Sequence, residues 1–183
     1  MNRTVQPCEQ DSIATAKLTF QNALNNFIYE LKYSTGFYAP LPSAASFLKL
    51  IGDIKNKHPD KYSVILNSQY DLESSHLKGI TPLLHCAYFL HHSLASHVVF
   101  YEMVALGCPI KQKGMINGKE KSVFDLIASR WCRFSVFDRI LRHCYKNDLI
   151  NQADLKEIFD KITSTRTYQS FKSVDPKILS FSA

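Results

Sequence analysis

The sequence predicts an all-α chain, and three observations carry that expectation. Apolar residues recur at helical spacing through most of the length, and no stretch sustains the period-two alternation of a half-buried strand. The 6 glycines and 7 prolines are spread thinly over 183 residues, which excludes a turn-dense β-sandwich. A chain this long makes one domain, or one domain with a small appendage. It buries about 70% of its unfolded surface, so folding requires neither metal nor disulfide.

Each element follows from local signals. Asp11-Ser12 opens a helix whose stripe is Ile13, Phe20, Leu24, Phe27, Ile28 and Leu31; it ends near Ser34-Thr35-Gly36, before the prolines at 40 and 42. A second helix starts at Ser43, carries Phe47, Leu48, Ile51 and Ile54, and stops at His58-Pro59. A third, short helix covers roughly Asp60 to Asn67. After a loop to Lys78, helices alternate with short turns to about Thr163. The last pair runs from Phe134 to Cys144 and from Asn151 to Ile162, with Asn151 and Asp154 spaced for reciprocal capping. Beyond it the tail is rich in Ser and Thr but holds Tyr168, Phe171, Ile178, Leu179 and Phe181, so part of it can dock on the domain.

One segment is more specific. An apolar helix end, Val64-Ile65-Leu66, runs into an extended turn with Asp71 and Leu72, then Gly79-Ile80-Thr81-Pro82-Leu83-Leu84-His85-Cys86-Ala87. Gly79 suits a positive φ, Thr81 caps the next helix, and Pro82 takes its first position, where a missing N–H costs nothing. Small Cys86 and Ala87 let a neighbouring helix approach closely. This segment resembles the ankyrin repeat, whose signature has T-P-L-H-x-A after a β-turn. Downstream, Val98 to Gly107 is similar to the family's outer helix with its terminal glycine. Ser122 to Ala128 is similar to the next inner helix, and Ser122 with Asp125 makes a capping pair.

The match departs from the family in places. Leu84 stands where His is usual, Gln69 replaces a helix-ending Gly, and Val123 replaces Pro. Thr81 and Ser122 are 41 positions apart against about 33 in the family, the surplus falling in the turn from Leu90 to His97 and in a hairpin from Pro109 to Lys121. Asn117-Gly118 marks the hairpin tip. The resemblance implies a short ankyrin-like helical solenoid with an extended β-hairpin loop and helical caps at both ends. Its parts are an N-terminal helical cap and linker (1–42), ankyrin-like repeats (43–146), a C-terminal capping helix (147–163) and the tail (164–183). The alternative is an irregular helical bundle in which Thr81-Pro82 merely starts a helix.

Charge and cysteine bound the function. The formal charge is +6, which favours acidic partners but falls short of a nucleic-acid signature. The five cysteines, 8, 86, 108, 132 and 144, are odd in number and widely spaced; they read as free thiols of a reducing, cytoplasmic compartment. No apolar run is long enough to cross a membrane, and Met1 to Pro7 leads into no secretory signal. His and Cys show no zinc spacing, and no P-loop or dinucleotide motif follows a strand, so no metal and no cofactor is expected.

What remains is a binding surface. The hairpin holds Lys111, Lys113, Lys119 and Lys121 against Glu120, and the next segment holds five basic residues against Asp138. With Trp131 and Arg133, the hairpin lysines form the candidate docking site for an acidic protein partner, because Trp and Arg dominate interaction hot spots. A merely solvated basic face is the plainer explanation of the same residues. The expected function is a non-enzymatic protein–protein interaction module that masks or recruits its partner. The alternative is an enzyme, or an enzyme-regulating protein, with a cleft around His85, His91 and Cys132. The ankyrin-like segment, the low glycine content and the polar tail ending Ser180-Phe181-Ser182 are also similar to translocated effectors of intracellular bacteria of the Legionella type, which implies a host protein as partner.

Overall fold

The computed structural model describes residues 7–34, 41–73, 75–90, 93–129 and 134–164, with side-chain detail for all of these except 7–11, 128, 129, 134–139 and 161–164. It is mostly helical with one small antiparallel sheet. The order is α1 (Pro7–Tyr33), α2 (Pro42–Lys57), α3 (Tyr62–Asn67), α4 (Pro82–Tyr88), α5 (Leu94–Ala105), β1 (Lys113–Ile116), β2 (Lys119–Ser122), α6 (Val123–Ser129), α7 (Phe134–Lys146) and α8 (Gln152–Ser164). Among the described residues, no helix is long and apolar enough to cross a membrane.

The first two helices form as their stripes require. Phe20, Leu24, Phe27, Ile28 and Leu31 of α1 are fully buried, as is Phe47 of α2. Phe47 lies between Phe20 and Phe27, with ring centroids 5.2 and 5.6 Å away, and Tyr70 closes the cluster 5.6 Å from Phe20. α1 begins four residues earlier than Asp11 because Pro7 fits a first helical turn. α2 has no side-chain cap from its own flank. Its N-terminus is capped instead from α1: Glu30 Oε2 accepts from the Ser43 backbone N–H at 3.1 Å and from the Ser43 hydroxyl at 2.5 Å. A carboxylate there also opposes the positive end of the helix dipole.

Two rows of contacts organise the chain from α2 onward. α4 packs on α6 and α6 on α8; α2 packs on α5 and α5 on α7. α4 and α5 pack on each other, which joins the rows. Cys86 and Ala87, fully buried on α4, provide the small surface at this junction, and the Cys86 thiol lies 3.7 Å from Met103 Sδ of α5. α5 starts at Leu94, four residues before the sequence-based expectation, so the turn before it is shorter. Ser93 explains this: its hydroxyl accepts the Ala95 N–H at 3.1 Å, while the Ser96 hydroxyl donates to the Leu90 carbonyl at 2.9 Å. α5 ends at a glycine as expected. Gly107 has φ +90°, its N–H reaches the Val104 carbonyl, and Cys108 N–H reaches that of Met103, both at 3.0 Å. The same closure ends α7, but with Asp148 at φ +55° in the glycine position.

Candidate interaction surface

The two segments that precede α4 and α6 both carry antiparallel backbone pairing, a single bridge in the first and four residue pairs in the second. The first is a single antiparallel bridge between Tyr70 and Ile80. Gly79 adopts φ +59° there, and its N–H donates to Asp71 Oδ1 at 2.6 Å. Leu72 and Ile80 point into the core. Under the bridge His85 is fully buried, and its Nε2–H donates to the Tyr70 carbonyl at 3.3 Å. Burial lowers the His85 pKa to about 4, an effect partly offset by the bond to Tyr70 and the charge of Asp71. Thr81 occupies the cap position of α4, but its hydroxyl makes no cap bond and is buried without a hydrogen-bond partner. Pro82 starts that helix through its backbone alone.

The second turn is the hairpin. Lys113 pairs with Ser122, Gly114 with Lys121, Met115 with Glu120 and Ile116 with Lys119. Asn117 at φ +53° and Gly118 at φ +75° form its tip, the backbone sign that a two-residue hairpin turn needs. Gly114 sits against the first unit: a Cβ there would lie 3.0 Å from Leu84 Cδ1 and 3.1 Å from Ile80 Cγ2. The strand exit doubles as a helix cap. Ser122 N–H and hydroxyl both donate to Asp125 Oδ2, at 2.8 and 2.7 Å, and Asp125 N–H returns to the Ser122 hydroxyl at 3.1 Å. Asn151 and Asp154 form the same reciprocal box at the start of α8.

Hairpin geometry distributes the four lysines over different surroundings. Directly opposed residues share a face. Lys113 therefore lies with Met115 and Glu120 on one face, and Lys119 and Lys121 lie with Gly114 and buried Ile116 on the other. Lys113 pairs with Glu120 at 3.3 Å, both well exposed. Lys111, at the hairpin base, reaches Asp154 Oδ2 of α8 at 2.6 Å. Partial burial pushes the Asp154 pKa up, but bonds from Lys111 and the Asn151 backbone hold it below the usual carboxylate value. A cleft of about 240 Å³ lies between hairpin and α8, lined by Lys111, Lys113, Glu120, Asp125, Asp154 and Glu157 among others. On that side the acids outnumber the bases. Trp131 and Arg133 lie outside the described residues, as does the tail beyond Ser164.

The histidine and cysteine chemistry weighed from sequence is only partly open to view. His85 is enclosed beneath the first bridge. His91 and Cys132 lie outside the described residues. Cys86, Cys108 and Cys144 are buried free thiols, all pushed up in pKa by burial, Cys108 and Cys144 to about 12. A thiol held protonated is a poor nucleophile. Among the described residues, no group of three or more His, Cys, Asp or Glu is placed to hold a metal ion.

Comparison with known proteins finds no matching family model, no matching curated protein and no matching solved structure.

Proposed function

We propose that this chain is a non-enzymatic protein–protein interaction module: a short, divergent ankyrin-like array in which the hairpin is the docking element. The observation that carries the reading is the seating of Gly114 on Ile80 and Leu84, which sets the second turn directly upon the first. The two rows of contacts, α4–α6–α8 and α2–α5–α7, support it. So do the positive φ of Gly79 before Thr81-Pro82 and the glycine-closed end of α5. Repeated units of this kind each bury a face against the next and display their turns along one edge.

The partner offers an acidic surface, met by the hairpin lysines together with Trp131 and Arg133. Lys119 is exposed next to the tip and makes no ion pair among the described residues. Met115, 60% exposed on the other face, adds an apolar contact. The test is affinity capture with the wild-type chain and with a Lys113→Glu/Lys119→Glu/Lys121→Glu variant, each checked by thermal melting. The reading expects acidic proteins captured by the wild type and lost from the variant at an unchanged melting temperature. Equal capture by both would remove the hairpin from the docking surface.

A further inference from the structure

Three of the clefts formed by described residues contain carboxylates, and they differ in how those charges are balanced. The cleft beside the hairpin has Lys111 and Lys113 among its acids. A second, between the N-terminal half of α1 and the end of α2, sets Lys57 and His58 beside Asp53. The third is a groove of about 500 Å³ between the C-terminal half of α1 and the start of α2, lined by Ala23, Asn26, Tyr29, Glu30, Ser46 and Phe47 among others. Among the described residues, no basic side chain lines it. Its one charge is the half-buried Glu30.

Glu30 is fixed in place. Both bonds from Ser43 fall on Oε2, and Oε1 accepts from no other described group. Next to it Tyr29 is 57% exposed, and its ring lies 4.7 Å from that of Tyr33, itself 64% exposed. One exposed aromatic ring, that of Tyr29, is thus held at the groove beside a carboxylate that uses only Oε2 for its helix cap, over a floor of Ala23 and Phe47. The Tyr33 ring lies outside the lining and carries Lys32 Nζ 5.9 Å from its centroid. A carboxylate oxygen and an aromatic face together recognise an organic cation: the acid takes the N–H donors and the ring attracts the charge. We infer that this groove receives a cationic side chain, arginine or lysine, presented by a partner peptide. It is a second binding surface, separate from the hairpin and opposite to it in preferred charge.

The test is a ¹⁵N NMR titration of the full chain with a short arginine-containing peptide, and with the same peptide carrying citrulline, the neutral isostere. Tyr29→Ala removes the exposed ring. Glu30→Gln removes the charge while keeping an oxygen to accept from Ser43, and Asn26→Lys supplies an internal ammonium at the exposed rim. The arginine peptide is expected to shift amides of Ala23, Asn26 and Ser46, with binding weakened by added salt. Each of the first two variants is expected to bind about fivefold more weakly, and Asn26→Lys at least as weakly. The inference is overturned if citrulline shifts the same amides equally, if no groove amide responds to arginine, or if all three variants bind like the wild type while giving folded spectra.

Discussion

The two turn-and-helix units perform the same task with different chemistry. In the unit leading into α4, the turn is reduced to one bridge, the capping hydroxyl of Thr81 is unused, and the joint is held by Pro82, Asp71 and the buried His85. In the unit leading into α6, a full hairpin ends in the reciprocal Ser122–Asp125 box, and its Gly114 packs upon the unit before. The first is fixed from below by burial, the second from its own side chains. Local signals therefore describe the second unit well and the first only in outline.

This difference is open to attack at each joint, and the largest effect belongs to the first. The unfolded chain protonates His85 near 6.5, whereas burial holds the folded site near 4. The unfolded state thus takes the proton first as pH falls. The His85 contribution is intact above about pH 6.5, declines through the window down to about pH 4, and amounts to about 3 kcal/mol when complete. Denaturant titrations of wild type and His85→Gln between neutral and acid pH measure it; the stability gap between them is expected to narrow by that amount.

Next in size is the contact that joins the units. Gly114→Val forces a side chain into Leu84 and Ile80 and is expected to cost about 2 kcal/mol by chemical denaturation. The caps should separate the two units cleanly. Asp125→Ala removes the carboxylate that accepts both bonds from Ser122, leaving only the backbone N–H bond to the Ser122 hydroxyl, and is expected to cost about 1 kcal/mol. Thr81→Val, which replaces an unbonded buried hydroxyl by a methyl, is expected to be neutral or slightly stabilising. Another small effect is a gain. Asp148→Gly relieves an L-residue at positive φ, and a rise of about 0.5–1 kcal/mol is expected.

The helices, the hairpin tip at Asn117-Gly118, the positive φ of Gly79, the glycine end of α5 and both capping boxes were legible in the sequence. Each depends on residues a few positions apart, where propensity and turn chemistry act directly. Features that depend on distant chain segments were not legible. Glu30 caps a helix that begins after a linker, and Lys111 finds Asp154 from an element more than forty positions away. His85 looked like a candidate for chemistry until its bond to the Tyr70 carbonyl placed it beneath a turn. Of the proposed docking surface, the run of lysines was visible, but their division between two faces of a hairpin follows only from the strand register.

The claim that the second unit is seated on the first is tested most directly by a double-mutant cycle between Gly114 and Leu84. Leu84→Ala alone opens a buried cavity and Gly114→Ala alone presses a methyl against Leu84 Cδ1; together, the new methyl occupies space that the leucine has left. Measured by equilibrium denaturation, the double variant is expected to be at least about 0.5 kcal/mol more stable than the sum of the single effects predicts. Strict additivity would contradict the account, because it would mean that the hairpin does not rest on α4.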